Sequence, residues 1–126
     1  MSNPLPLTEL FDLTGKIACV TGASSGLGRR AALVLAAAGA QVVGVARRSD
    51  QLAEWEAESS GEAYSIVHDL ADRAGLADLA QKIVDPFGSP DILVHAAGIN
   101  TRQAADDVTP ESWDLTLDLN LAAPFF

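Results

Sequence analysis

The chain has 126 residues, 48% of them hydrophobic, with a mean hydropathy of +0.18. That is enough apolar material for one packed core and too little length for two, and it excludes a disordered tail. Eight Lys and Arg against seventeen Asp and Glu give a net charge of −9, which argues against a nucleic-acid groove or an anionic membrane surface as partner. The balance is uneven: residues 1–48 hold five basic and two acidic side chains, residues 49–126 three basic and fifteen acidic ones. An anion site is therefore expected in the first part. Cys19 is the single cysteine, which excludes an intramolecular disulfide and a thiolate metal cluster; no metal site is expected. Residues 1–14 lack the basic and apolar regions of a signal peptide, and no apolar run approaches the ~18 residues of a membrane span. A soluble, cytoplasmic protein is expected.

After an arm containing Pro4 and Pro6, residues 16–20 form a β-branched and apolar run that reads as a buried strand. From 27 to 38 the composition turns to Ala, Leu and Arg, a helix stopped by Gly39. A second buried strand is predicted at 41–46, then a helix over 50–58 capped by Ser49, with Asp50 in its first turn. A third strand follows at 63–67, a helix at 72–84 and a fourth strand at 91–95. Thr109 followed by Pro110 is an N-cap with Pro at the first helical position, opening a helix that runs to the end. Strands alternating with helices through short connections require right-handed crossovers and a parallel sheet, so the class is α/β, doubly wound. No internal repeat or interdomain linker interrupts residues 1–126, which read as a single domain.

Thr21-Gly22-Ala23-Ser24-Ser25-Gly26-Leu27-Gly28 lies between the first strand and the first long helix, where a doubly wound sheet places a phosphate. Gly22 allows a tight turn, Gly26 a close backbone approach to a pyrophosphate, and Gly28 close helix packing. The helix N-terminus adds unpaired N–H groups and the positive dipole end. No Gly-Lys-Ser/Thr follows, which argues against a triphosphatase loop; a glycine-rich turn without ligand is the competing reading. An NAD site carries an acid at the end of the second strand for the ribose 2′-hydroxyl, whereas an Arg there suits the 2′-phosphate of NADP. That strand end reads Val45-Ala46-Arg47-Arg48. Arg47 is the first candidate, Arg48 a second donor, and NADP the expected cofactor; solvated turn arginines are the alternative.

Four features at fixed spacing then resemble the short-chain dehydrogenase/reductase family. They are Thr-Gly-x-x-x-Gly-x-Gly at 21–28, Asp69-Leu70 after the third strand, Ala96-Ala97-Gly98 after the fourth, and Asn120 in the helix that opens at Pro110. The resemblance covers residues 11–126. It implies that Asp69 accepts from the adenine amino group, that the Leu70 backbone meets the ring, and that Ala97 and Gly98 floor the nicotinamide ribose. Asn120 would hold a water in a proton relay. Family members usually have Asn-Asn-Ala-Gly or Asn-Ala-Ala-Gly where this chain has His95-Ala96-Ala97-Gly98, and His95 reads as a hydrogen-bonded structural substitute. Residues 10–16 and 96–102 are similar to members acting on sugar acids such as gluconate. Arg102, at the C-terminal edge of the sheet, is then a candidate to grip a substrate carboxylate.

The family's chemistry needs a Ser, a Tyr and a Lys four residues beyond that Tyr. This chain has one Tyr, Tyr64 in the third strand, and two Lys, Lys16 and Lys82. The resemblance therefore implies the cofactor-binding half of an oxidoreductase that transfers hydride between NADP(H) and a secondary alcohol or ketone, a homo-oligomer when complete, with these 126 residues inactive alone. A 3-oxoacyl-thioester reductase and a non-catalytic NADP-binding module are the alternatives. The chain then reads as one domain incomplete at its C-terminus, truncated after the fourth strand and part of the next helix, and with that strand unpaired the isolated chain is expected to fold poorly or to need another polypeptide.

Overall fold

The protein is described by a computed structural model for residue 4 and residues 6–126. One helical turn, α1 (Leu7–Leu10), precedes four strands: β1 (Ile17–Thr21), β2 (Gln41–Ala46), β3 (Ala63–Val67) and β4 (Ile92–His95). They form one parallel sheet in the order β3-β2-β1-β4. After β1 the chain winds toward β3, and the later crossover carries β4 to the opposite side of β1. The order therefore reverses between β1 and β4, and the ends of those strands open a crevice. Helices α2 (Gly26–Ala37), α3 (Ser49–Glu58) and α4 (Leu76–Val84) make the crossovers, and α5 (Pro110–Leu117) follows β4.

The central strands bury both faces. Ala18, Val20 and Val42 pack with Ala32, Ala36, Leu52 and Trp55 of α2 and α3. Cys19, Val43 and Val45 pack on the other side with Ile66, Leu70, Leu76 and Leu79. Trp55 is fully buried because Gly44 leaves it room: a Cβ there would meet the indole Cζ3 at 2.5 Å. Burial also holds the Cys19 thiol up at about 11, so it stays protonated and inert near neutrality.

The predicted elements are present, with local differences at their ends. Ser49 is the first residue of α3 and makes no cap; Arg48 occupies the N-cap. The start of the 72–84 segment is a 3₁₀ turn, Arg73–Gly75, before α4. Thr109 does cap α5, in a reciprocal capping box with Ser112. The terminal helix is not regular throughout: Asp118–Ala122 is a π-helical turn, followed by the short α6 (Ala123–Phe125).

Candidate dinucleotide cleft

The glycine loop is built by contacts between backbones. Gly22 has φ +73°, and a Cβ there would lie 2.7 Å from the Ala97 nitrogen; one on Gly28 would lie 2.2 Å from the Gly22 carbonyl oxygen. The loop thus sits directly against the segment leaving β4. Thr21 fastens the same junction, its hydroxyl accepting from the Ala97 N–H at 3.3 Å and lying 3.5 Å from the Val94 carbonyl. Gly26 differs: its φ is +57° and a Cβ would meet nothing within 4 Å. The space over Gly26 is open.

That space belongs to a cleft of about 350 Å³ at the C-terminal edge of the sheet. Gly22, Ser24, Ser25, Gly26, Leu27 and Gly28 line one wall, and Arg47 and Arg48 stand at the β2 end. Leu70, Ala97 and Gly98 complete the set. Ser25 makes no side-chain cap, so the first N–H groups of α2 lack one of their usual partners. An uncapped helix start, an open glycine and two exposed guanidiniums on one cleft fit an extended, phosphate-bearing dinucleotide. Asp69 is not on the lining. Its Oδ1 accepts from the Ala71 N–H at 3.0 Å, tying the turn after β3, and Oδ2 has no protein partner.

Asn120 sits in the π-helical turn, where the extra residue re-aims its side chain. Its amide clasps the Ile99 peptide: Nδ2 donates to the Ile99 carbonyl and Oδ1 accepts from the Ile99 N–H, both at 2.8 Å. Oδ1 also lies 3.1 Å from where a Gly98 Cβ would stand. Asn120 therefore fixes the floor of the cleft, while each amide atom retains capacity for one further bond, including to a water. Arg102 is exposed on the loop after β4 and lies outside the cleft. His95 does not match its expected role: it is exposed, and among the described residues no group hydrogen-bonds its ring. It borders a second, apolar cavity of about 330 Å³ between β4, α4 and α6. Tyr64 lies on β3, the outer strand farthest from β4. Ala46, His68, Ile99 and Leu119 line the cleft without having been anticipated there. A polar His directly after the third strand and beside Asp69 was the one signal available for His68.

Among the described residues no cluster of potential metal ligands is found. No helix in the described part is long and apolar enough to cross a membrane.

The family model described as short chain dehydrogenase matches residues 16–126. This chain belongs to the short-chain dehydrogenase family. It is 38% identical over 121 residues to 2-dehydro-3-deoxy-D-gluconate 5-dehydrogenase of Dickeya dadantii, covering 95% of this chain and 48% of that one. L-sorbose reductase from Gluconobacter frateurii, complexed with NADPH and L-sorbose, is 29% identical with TM-score 0.84, over 91% of this chain and 45% of the other. A 3-oxoacyl (acyl-carrier-protein) reductase from Agrobacterium tumefaciens C58 with NADP bound is also 29% identical, with TM-score 0.85, over 96% and 48%. The chain thus spans about half the length of the family members it matches.

Proposed function

We propose that these residues form the cofactor-binding half of an NADP(H)-dependent short-chain oxidoreductase acting on a secondary alcohol or ketone of a sugar acid. The observation that carries the NADP reading is the gathering of Arg47 and Arg48 on the same cleft as the glycine loop, with no carboxylate among residues 45–48. In this reading the α2 N-terminus and Gly26 receive the pyrophosphate, and Arg47, seconded by Arg48, pairs with the 2′-phosphate. The free Oδ2 of Asp69 and the Leu70 backbone meet the adenine. Ala97 and Gly98 support the nicotinamide ribose, held in place by the Asn120 clasp on Ile99. The nicotinamide, when bound, supplies the hydride chemistry. No Tyr-x-x-x-Lys stands in these 126 residues, so proton transfer falls to residues they do not include, and the chain by itself is inactive.

Arg102 would bind the substrate carboxylate, a reading supported by the likeness to the gluconate-type relative. In the complete enzyme, Arg102→Ala then raises KM for gluconate about tenfold or more, the loss of a charge-assisted contact; an unchanged KM removes this assignment. The likeness to a 3-oxoacyl reductase favours a second reading, an acyl-thioester substrate, and turnover on a 3-oxoacyl thioester in place of 5-ketogluconate would establish it. The exposed Trp113, Leu117 and Leu121 on α5 and the turn after it support a homo-oligomer, a dimer or tetramer. A cytoplasmic location is part of the same proposal.

A further inference from the structure

We propose that His68 is a specificity-determining residue of this cleft, its Nδ1–H donating to the 2′-phosphate beside Arg47; the inference rests on the NADP reading above. The ladder places the two residues together. Val45 pairs with Ile66 and Ala46 with Val67, and the His68 N–H extends the pairing by donating to the Ala46 carbonyl at 2.9 Å. Val45 and Ile66 both face the α4 side, and two residues further on the alternation brings Arg47 and His68 to that face at the C-terminal edge. Both line the cleft.

The ring is held in one orientation. Its Cε1 lies 2.8 Å from where a Gly75 Cβ would stand, so the turn before α4 closes over that edge of the imidazole. Among the described residues Nε2 is buried there with no hydrogen-bond partner, whereas Nδ1 is not among the buried unpartnered atoms and has no protein partner. Nδ1 is therefore the nitrogen open to the cleft. A buried N–H without an acceptor is a costlier fault than a buried lone pair, which puts the proton of the neutral ring on Nδ1. Arg47 and Arg48 line the cleft with His68, whereas the Asp72 carboxylate stands with the ring's Cε1 edge against Gly75. That carboxylate repels an anion, which favours a phosphate on the arginine side of the cleft. His68 thus offers the 2′-phosphate a hydrogen bond from the ring nitrogen that opens on the cleft.

Asn places an amide near the Nδ1 position and Gln near the Nε2 position, so the two replacements separate the ring's atoms. Calorimetric titration of the complete enzyme at pH 7.5 with adenosine 2′,5′-bisphosphate and adenosine 5′-monophosphate reads binding without turnover. The unsubstituted protein is expected to prefer the bisphosphate. His68→Gln is expected to reduce that preference about tenfold, the scale of one hydrogen bond to a charged group, while His68→Asn stays within about threefold of the starting value and monophosphate binding is unchanged in both. Unaltered preference in both variants overturns the role of His68 and leaves the arginine reading standing. No preference in the unsubstituted protein overturns both. Loss of monophosphate binding in both variants assigns His68 to the packing of the turn and likewise overturns the proposal.

Discussion

Every buried residue of the described chain lies between Ala18 and Leu79, and residues 80–126 contribute none. The second region is not short of apolar side chains: Leu93, Trp113, Leu121, Phe125 and Phe126 stand 55–80% exposed. What differs is the number of layers. β1 and β2 have a paired neighbour on each side and helices over both faces. β4 is paired on one edge only, and α5 touches mainly the turn that follows it. An apolar stripe is a core only where a second layer meets it. The glycine-loop wall of the cleft is built on the first region and its floor, Ala97 to Ile99, on the second, where the Asn120 clasp substitutes for burial.

Paired substitutions test that contrast. Trp55→Ala is expected to cost ~3–5 kcal/mol because it opens a cavity over Gly44, whereas Trp113→Ala on α5 is expected to stay within ~0.5 kcal/mol. Urea midpoints measure both, and equal costs would break the distinction. Gly28→Ala comes next, at ~1–3 kcal/mol, since its Cβ meets the Gly22 carbonyl at 2.2 Å; it is also expected to weaken NADP binding by displacing the loop from Ala96. Gly26→Ala has open space and bears only the cost of φ +57°, ~1–2 kcal/mol, with binding weakened by the methyl group standing over the cleft. The smallest effect is chemical. The Cys19 thiol, raised to about 11 by burial, is expected to resist a disulfide reagent at pH 8 until urea unfolds the first region. Prompt modification of the folded protein would show that β1 is not sealed.

The alternating apolar runs and glycines of residues 16–46 made the first strand, loop, helix and second strand legible, because buried parallel strands and helix stops follow from local chemistry. The cleft was legible to the same extent: Gly22, Ser24, Ser25, Gly26, Leu27 and Gly28 come from one loop, and Arg47 and Arg48 follow from strand order. Contacts across the chain were not. Nothing local to Ile99 says that its peptide will be clasped by a side chain 21 residues on, nor does Thr21 announce its bond to Ala97. The π-helical turn at Asp118–Ala122 has the composition of an ordinary helix, and its irregularity belongs to the position of Asn120 rather than to propensity. His95 misled because an Asn-like role was transferred to a ring that here points to no partner.

The proposed function stands or falls with selection of a 2′-phosphorylated dinucleotide by Arg47. Calorimetric titration of the protein, and of Arg47→Ala, with NADP and NAD at one fixed ionic strength tests it most directly. The account predicts NADP bound about tenfold or more tightly than NAD, the worth of a charge-assisted contact, with that preference collapsing in Arg47→Ala. Equal affinity for the two dinucleotides, or a preference untouched by the substitution, would contradict it.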